Sequence, residues 1–260
     1  MRLSVIVPAY KQSKTIVDDA KNILASLDRL NVDYELLVVI DGRVDDTEEK
    51  LKNANLPKVS VYAYEKNMGK GYALRYGSAR ATGEFVVFLD SGMEINPEGI
   101  KMLWEHMSWY NADIIIGSKR HPASKVAYPI FRRLTSFCYQ FLTRILFGLN
   151  VRDTQTGLKM FRREVLEKVM PRLLVKRYAI DIEILAVANY LGFRRIFEAP
   201  VDVSYKFDDL THASALKPIW RMLVDTLAVF YRLKFLRYYD DNSKKRWVYD
   251  SNLDMKVNIG

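Results

Sequence analysis

Short runs of apolar residues alternate, in the first half of the chain, with segments whose apolar residues recur at helical spacing. Four such runs cover residues 4–8, 35–40, 59–64 and 85–89. A continuous apolar run is typical of a strand buried on both faces of a sheet. Strands that alternate with helices in this way predict an α/β fold, with a parallel sheet that carries helices on both faces.

Two of the apolar runs end on a carboxylate, Asp41 after the second and Asp90 after the fourth. Because open α/β sheets bind ligands at the carboxyl ends of their strands, both side chains are predicted to lie at that edge. Asp41 can accept hydrogen bonds from a base or a ribose, and Asp90 has the position and charge to hold a metal beside a phosphate. Either residue could instead cap the turn that follows its strand.

Two further features near these aspartates favour a phosphate site. Residues 67–71 form a glycine loop in which the backbone can approach a ligand and Lys70 can meet a phosphate, although a plain turn has the same composition. Magnesium or manganese is often held by one or two carboxylates, with water and substrate phosphates as the other ligands. Asp90 and Glu94 supply such a pair, unless Glu94 is only a surface residue.

The composition is that of an ordinary globular protein, but its positive charge is concentrated in one segment. The chain has 260 residues, 49% of them hydrophobic, and a formal net charge of +9. Residues 119–177 hold 14 Lys and Arg against 3 Asp and Glu. The single cysteine, Cys138, excludes an internal disulfide framework and a cysteine-based zinc site. No uncharged apolar run approaches the roughly 20 residues of a membrane-spanning helix, so we expect no integral membrane segment.

The basic segment lies beside an amphipathic helix. Its cationic or titratable side chains include Lys119, Arg120, His121, Arg132 and Arg133. Guanidinium groups bind phosphate bidentately. Helical patterns over residues 134–149 and 216–238 carry regular apolar stripes, which suit either the core or a bilayer surface. The combination favours a phosphate carried by a lipid, and a solvated charged face is the alternative.

Carboxylates also occur later in the chain. Asp153 and Gln155 belong to a polar loop that enters a strand, and Asp181 and Glu183 begin a helix. Residues two apart on a helix point in different directions, so at most one of this pair should face a site. Either carboxylate could instead interact with the helix dipole.

In order, these segments resemble the inverting family 2 glycosyltransferases of GT-A fold, and within them the polyprenyl-phosphate sugar synthases, most closely the dolichyl-phosphate glucosyltransferases. The resemblance covers roughly residues 3–235. The segments that carry it are Val7-Pro8-Ala9-Tyr10, Asp41-Gly42, residues 67–74, Leu89-Asp90, Gly117-Ser118-Lys119, residues 153–161 and Asp181-Ile182-Glu183.

The resemblance implies a Rossmann-like GT-A domain over residues 1–235, with a mixed, mainly parallel sheet and C-terminal amphipathic helices. Residues 1–118 would be the nucleotide-sugar half and residues 119–235 the acceptor half. Residues 236–260 are expected to be a polar tail.

The resemblance also implies a role for each matched residue. Binding of the nucleotide-sugar is expected of Pro8, Tyr10, Asp41, Lys70 and Asp90. A divalent metal, Mg²⁺ or Mn²⁺, would be held by Asp90 and Glu94. The acceptor phosphate would meet Lys119, Arg120, Arg132 and Arg133. The catalytic candidates, which would line the sugar or acceptor side, are Asp153, Gln155 and Asp181.

One departure from the family pattern concerns the metal. The family has Asp-x-Asp where this chain has Asp90-Ser91-Gly92, so the second carboxylate is missing. Our hypothesis is that Glu94 replaces the lost charge. The competing hypothesis is that metal binding is weakened and activity altered or lost.

The expected activity is transfer of a hexose, with inversion, from a nucleotide-sugar such as UDP-glucose to a polyprenyl or dolichyl phosphate. The protein would be peripheral, on the cytoplasmic face of a membrane, with a membrane-protein partner or a homo-oligomer left open. The alternatives are a polysaccharide or protein acceptor, and a non-catalytic nucleotide-sugar-binding protein. Nucleic acid is not expected as a partner, because the chain lacks a recognition motif and its sheet-edge carboxylates would repel phosphate unless a metal intervened.

Overall fold

The structure is a computed structural model that describes residues 1–125, 130–175, 179–203, 212–241 and 247–258, with only the backbone described for 130–135 and 212–219. Strands and helices alternate along most of the chain, as predicted. In chain order they are β1 (Arg2–Ala9), α1 (Ile16–Asp28), β2 (Asp33–Asp41), α2 (Thr47–Ala54), β3 (Val59–Tyr64), α3 (Lys70–Arg80), β4 (Phe85–Leu89), α4 (Gly99–Trp109), β5 (Ile114–Ser118), α5 (Ile130–Phe147), β6 (Leu158–Arg162), α6 (Arg163–Val169), α7 (Ile180–Tyr190), β7 (Ile196–Pro200), α8 (His212–Lys234), β8 (Trp247–Asp250) and β9 (Met255–Asn258).

In the described part of the chain, seven strands form one mixed sheet in the order β3-β2-β1-β4-β6-β5-β7. The strands β1 to β4 pair in parallel, as do β5 and β7, while β6 runs antiparallel to both of its neighbours. Because β2 and β4 are both parallel to β1, Asp41 and Asp90 lie at the same edge of the sheet. The prediction of a mixed, mainly parallel sheet is confirmed.

The sheet is covered on both faces, because successive residues of a strand point to opposite sides. Ile6 of β1 packs in a cluster with apolar residues of α3, α6 and α7. Its neighbours Val5 and Val7 pack in a second cluster with α1 and α4. The two cores fix the strand ends, and therefore the positions of the side chains that follow them.

Residues 236–260 differ from the expected polar tail. Tyr238 and Tyr239 are buried, and β8 and β9 form an antiparallel hairpin. The hairpin is held to the domain by Met255, which packs against the core cluster that includes Ile6, and by a hydrogen bond from Arg80 to the carbonyl of Asn252 (3.4 Å). A polar composition concealed a few well-spaced apolar residues that suffice to dock the hairpin. No helix among the described residues has the length and apolar character needed to cross a membrane.

Candidate active site

Asp41, at the end of β2, holds the glycine loop that leads into α3. Its buried carboxylate accepts hydrogen bonds from the backbone N–H groups of Met68 (2.7 Å) and Gly69 (3.0 Å) and from the hydroxyl of Tyr64 (2.8 Å). Gly69 has a φ of +93°, a conformation that favours glycine. The observed role of Asp41 is therefore to fix the shape of this loop.

Pro8 and Tyr10 lie at the carboxyl end of the adjacent strand β1. Pro8 is opposite Val39 of β2 and lies beyond Ile6, the last β1 residue paired with β4, so the missing N–H of proline breaks no ladder with β4. Tyr10 is exposed, with Lys11 Nζ 5.4 Å from the centre of its ring. Both residues therefore flank the edge at which Asp41 lies, and the Tyr10 ring is accessible to a flat ligand.

Lys70, the first residue of α3, joins two carboxylates that are far apart in sequence. Its Nζ lies 2.9 Å from Asp90 Oδ1 and 3.1 Å from Asp181 Oδ2. Burial by itself would lower the pKa of Lys70, but the carboxylates of Asp181 and Asp90 outweigh burial and raise the pKa above its usual value. Lys70 is therefore a fixed cation in the centre of the site.

Asp181 also contacts Lys159, whose side chain is buried on β6. Lys159 Nζ lies 2.5 Å from Asp181 Oδ1, and it donates a second hydrogen bond to the carbonyl of Thr156. Burial by itself would raise the pKa of Asp181, but Lys159 and Lys70 hold it below its usual value, while burial lowers the pKa of Lys159. Negative and positive side chains thus alternate from the half-exposed Asp90 inwards to the buried Lys159. We call Asp90, Lys70, Asp181 and Lys159 the charge chain.

Asp90 and Gly157 lie side by side, just after the end of β4 and just before the start of β6. The backbone N–H of Asp90 donates to the carbonyl of Gly157 (3.1 Å), and a Cβ atom at residue 157 would lie 2.1 Å from Asp90 Oδ2. Glycine is therefore required there to leave room for the carboxylate. The Asp90 side chain is 46% exposed, so it faces the solvent as well as Lys70.

The donors near Asp90 fit a divalent cation that takes most of its ligands from water and substrate phosphates. Carboxylate oxygens suit Mg²⁺ and Mn²⁺, and one or two of them can suffice. Among the described residues, no group of three or more His, Cys, Asp and Glu side chains is placed to hold a metal ion. Asp90 would be the fixed ligand, and the exposed Glu94 would be the second.

Gly92 occupies the position of the missing aspartate and has a φ of +92°. Met93, the next residue, has a φ of +56°, so the turn between Asp90 and Glu94 contains two consecutive left-handed residues. An aspartate at residue 92 would be strained in this backbone. The turn is therefore adapted to glycine, and a carboxylate can come to Asp90 only from another position such as Glu94.

Asp153 joins two loops. Its carboxylate accepts hydrogen bonds from the backbone N–H groups of Lys119 (3.0 Å) and Gln155 (3.0 Å), while its own N–H donates to Glu198 (3.0 Å). Both carboxylate oxygens of Asp153 are thus used to order the loops. The side chain of Gln155 points instead to α5, where its Nε2 lies 3.5 Å from the hydroxyl of Tyr139.

Arg120, one of the four residues predicted to meet the acceptor phosphate, contacts α5. Its guanidinium donates to the carbonyls of Ser136 (3.1 Å) and Arg152 (3.3 Å) and lies 5.7 Å from the ring centre of Phe137. The backbone of Lys119 is held by Asp153. The side chains of the other two candidates, Arg132 and Arg133, lie outside the described residues.

Glu183 points away from the charge chain, as the two-residue spacing from Asp181 predicts. It is fully buried and accepts hydrogen bonds from the N–H groups of Leu174 (3.1 Å) and Val175 (2.9 Å) and from the hydroxyl of Tyr239 (2.7 Å). Burial raises its pKa above the usual value. Glu183 therefore holds the loop at 174–175, whose Val175 carbonyl would lie 2.6 Å from a Cβ at Gly71 of α3.

The outer faces of α5 and α8 expose large apolar side chains. On α5 these are Phe137, Phe141 and Ile145, and on α8 and just after it they are Trp220, Val224, Leu227, Tyr231 and Phe235. The spacing is three or four residues in each case, so each set forms one helical stripe. The helices contact each other through Tyr139 and Thr226, whose hydroxyls are 2.9 Å apart. We call the two stripes the apolar surface.

Sequence reasoning missed several residues that build the site. Lys159 sits within the apolar run 158–161, and a lysine in a buried strand requires a buried carboxylate, which was a usable signal. Tyr64, Tyr139 and Tyr239 gave no such signal, because a tyrosine in an apolar pattern is equally consistent with simple core packing.

The fold and the site correspond to a known family. The profile of glycosyl transferase family 2 matches residues 4–170. The chain therefore belongs to glycosyl transferase family 2 and is a glycosyltransferase.

Its relatives include enzymes with named substrates. The dolichyl-phosphate beta-glucosyltransferase of Homo sapiens is 30% identical over 253 residues, which are 90% of this chain and 76% of the relative. The Drosophila melanogaster enzyme of the same name is 31% identical, over 86% of this chain and 72% of the relative.

Solved structures share the fold. Glucosyl-3-phosphoglycerate synthase from Mycobacterium tuberculosis, in a complex with Mn²⁺, UDP-glucose and glycerol 3-phosphate, aligns with a TM-score of 0.64 at 21% identity. The alignment covers 88% of this chain and 79% of that one.

Proposed function

We propose that the protein transfers glucose from UDP-glucose to a dolichyl or other polyprenyl phosphate at the cytoplasmic surface of a membrane, with inversion at the sugar carbon. The observation that carries the proposal is the contact between Arg120 and Phe137. It joins a cation suited to a phosphate to an apolar surface suited to the attached chain. Relatives named dolichyl-phosphate beta-glucosyltransferase support the same acceptor.

The donor half supports a nucleotide diphosphate-sugar. Tyr10 offers an exposed ring at the strand edge, and the charge chain offers Lys70 beside Asp90. A divalent metal bound at Asp90, with Glu94 as a candidate second ligand, would neutralise charge on the diphosphate. Lys70 would stay paired with Asp181 and present its remaining hydrogen-bonding capacity to the donor.

The acceptor half supports an acceptor that needs no general base. A phosphate monoester is already ionised near neutral pH, so the protein has only to hold it in line with the sugar and to balance its charge. Arg120 and Lys119 provide cations for this purpose. Asp153 then acts by ordering the loops that carry Lys119 and Gln155.

The activity is tested by transfer of radiolabelled sugar to dolichyl phosphate in detergent, with UDP-glucose, UDP-galactose, UDP-N-acetylglucosamine and GDP-mannose as donors. We expect lipid-linked product with UDP-glucose and no comparable transfer from GDP-mannose. Phosphoglyceric acid and a free sugar serve as competing acceptors in parallel. Transfer to either of these but not to dolichyl phosphate would overturn the proposed acceptor, and UDP binding without any transfer would support a non-catalytic protein.

A further inference from the structure

A short series of hydrogen bonds links the loop of Gln155 to both helices of the apolar surface. Gln155 Nε2 lies 3.5 Å from the Tyr139 hydroxyl on α5, which lies 2.9 Å from the Thr226 hydroxyl on α8. Thr226 is fully buried and donates to the carbonyl of Met222 (2.7 Å).

The direction of these hydrogen bonds follows from the number of hydrogens available. The single hydrogen of Thr226 is donated to Met222, so Thr226 can only accept from Tyr139. The single hydrogen of Tyr139 is then donated to Thr226, so Tyr139 can only accept from Gln155. Burial raises the pKa of Tyr139 to about 12, so the phenol keeps this hydrogen at neutral pH.

The amide of Gln155 is thereby fixed in one of its two orientations. Only its N–H group can face Tyr139, so the carbonyl oxygen occupies the other branch of the planar amide. Gln155 lies between Gly157, which contacts Asp90, and Asp153, which holds the backbone of Lys119. The residues that flank Gln155 in sequence are thus tied to both ends of the site, while its amide N–H group points to α5.

We propose that Tyr139 is a positioning residue, which sets the orientation of the Gln155 amide for the bound acceptor through the Gln155–Tyr139–Thr226 hydrogen bonds. The long contact of 3.5 Å shortens when the acceptor is bound. Because Tyr139 and Thr226 lie beneath the apolar surface, the same hydrogen bonds tie the orientation of Gln155 to the packing of α5 against α8. This inference rests on the proposed function for the identity of the acceptor, but its structural part does not.

The structural part is tested on the free protein by NMR. The chain has three glutamines, at 12, 140 and 155, so selective ¹⁵N-glutamine labelling gives three side-chain amide signals, and that of Gln155 is assigned by its loss in Gln155→Ala. Tyr139→Phe and Thr226→Val should both shift the Gln155 signal, although Thr226 does not contact Gln155. A signal that Thr226→Val leaves unmoved would overturn the inference.

Kinetics test the positioning role. We expect each variant to lower kcat/KM for dolichyl phosphate about threefold to tenfold, the usual size of one lost hydrogen bond, with UDP-glucose affinity unchanged. The double variant should be no worse than Tyr139→Phe alone, because Thr226 acts through Tyr139. Additive losses, or a parallel loss of UDP-glucose affinity, would contradict the proposal.

The sharpest test is a protein background in which Thr226→Val should raise activity instead of lowering it. The carboxylate introduced by Gln155→Glu has no hydrogen to donate to Tyr139. That carboxylate can only accept, so it competes with Thr226 for the single hydrogen of Tyr139. Thr226→Val removes the competing acceptor, so the second substitution should restore part of the lost activity. A further loss would count against the proposal.

Two control variants remove hydroxyls elsewhere. Thr143→Val removes a buried hydroxyl of α5 that bonds only to the Gln140 carbonyl in the described residues, and Tyr34→Phe removes a buried tyrosine hydroxyl bonded to Asp28. Both should retain wild-type kinetics and the wild-type Gln155 signal. If the wild-type protein transfers no sugar to any phosphate acceptor, the proposed function fails, and the NMR measurement alone decides the hydrogen bonds.

Discussion

At the carboxyl edge of the sheet, Lys70 lies 2.9 Å from Asp90 and 3.1 Å from Asp181, whereas on the outside of α5 and α8 the side chains of Phe141 and Trp220 are 62% and 69% exposed. Buried charges are costly without a partner, and exposed apolar groups are costly in water. The charge chain has its partners within the protein. Among the described residues the apolar surface is left exposed, which is the arrangement that the proposed contact with a lipid requires.

The charge chain should be the more sensitive of the two regions to the loss of one side chain. Asp181→Ala leaves Lys159 buried without its carboxylate, so we expect the free energy of unfolding to fall by about 3–5 kcal/mol. Urea denaturation at pH 7 measures it. Asp113→Ala is the matched control, because Asp113 is also buried but its partner Arg195 reaches solvent, and it should cost less. Equal losses of stability in Asp181→Ala and Asp113→Ala would show that the charge chain is no more sensitive than another buried ion pair.

Asp90 should matter for activity more than for stability, because its side chain is half-exposed. Asp90→Asn keeps the shape of the side chain but removes the charge that a metal and Lys70 require. We expect sugar transfer to fall about a hundredfold to a thousandfold, as for other lost transition-state electrostatic groups, with little change in urea denaturation. Retention of more than a tenth of the activity would argue against a central role for Asp90.

The apolar surface should govern attachment to lipid. Phe141→Glu combined with Trp220→Glu should weaken binding to anionic liposomes by about a hundredfold or more in a sedimentation assay, since each buried aromatic contributes about 1.5–3 kcal/mol. UDP-glucose affinity should be unchanged.

Trp109→Glu is the control for this surface, because Trp109 is equally exposed but lies on α4. Wild-type binding should also decrease at high salt, because basic residues near an anionic leaflet contribute electrostatically. Equal binding to neutral liposomes would contradict that electrostatic contribution.

Glu94 decides whether the chain has replaced its missing aspartate. If Glu94 is the second metal ligand, Glu94→Ala should weaken the Mn²⁺-dependent binding of UDP by about tenfold, because the site would retain one carboxylate. Isothermal titration with and without Mn²⁺ measures the change, and Glu49→Ala removes an exposed glutamate from α2 as a control. An unchanged affinity in Glu94→Ala would reject the replacement.

The smallest effect concerns pH. Burial raises the pKa of Glu183 above its usual value near 4.5. At pH values between the usual pKa and the raised pKa, the native protein therefore binds more protons than the unfolded chain. The free energy of unfolding therefore falls as pH rises through that window. Glu183→Gln should remove this decline. The free energy of unfolding of the variant, relative to that of the wild-type protein, should therefore increase with pH above about 4.5. The lowered pKa of Asp181 acts in both proteins and cancels in the difference; a flat difference would show that Glu183 does not titrate in this way.

The parts of the site that the sequence could predict are those that depend on the sheet. From the apolar runs and their parallel arrangement it could be predicted that Asp41 and Asp90 lie at one edge of the sheet. From their spacing it could be predicted that Asp181 and Glu183 point in different directions. A pattern of this kind reports which face of an element is buried. It does not report which atoms meet there.

The rest of the site depends on contacts between distant segments. Lys70 and Asp181 are 111 residues apart in sequence, and Tyr139 meets Thr226 across 87 residues. Asp41 and Asp153 were predicted to face ligands, but their oxygens are observed to order loops. A carboxylate at a strand end or in a loop can either bind a ligand or accept hydrogen bonds from the backbone, and only the positions of neighbouring N–H groups distinguish the two.

The hydrogen bond between Tyr239 and Glu183 has a consequence for the order in which the protein is made. Glu183 holds the loop at 174–175 against the start of α3, yet its hydroxyl donor is translated 56 residues after it. The ribosome must therefore release nearly the whole domain before this corner of the site can lock. A nascent chain stopped in α8 would contain all the residues that we propose meet the donor or the acceptor. It would still lack the Tyr239 hydroxyl, which holds Glu183 and through it the loop at 174–175.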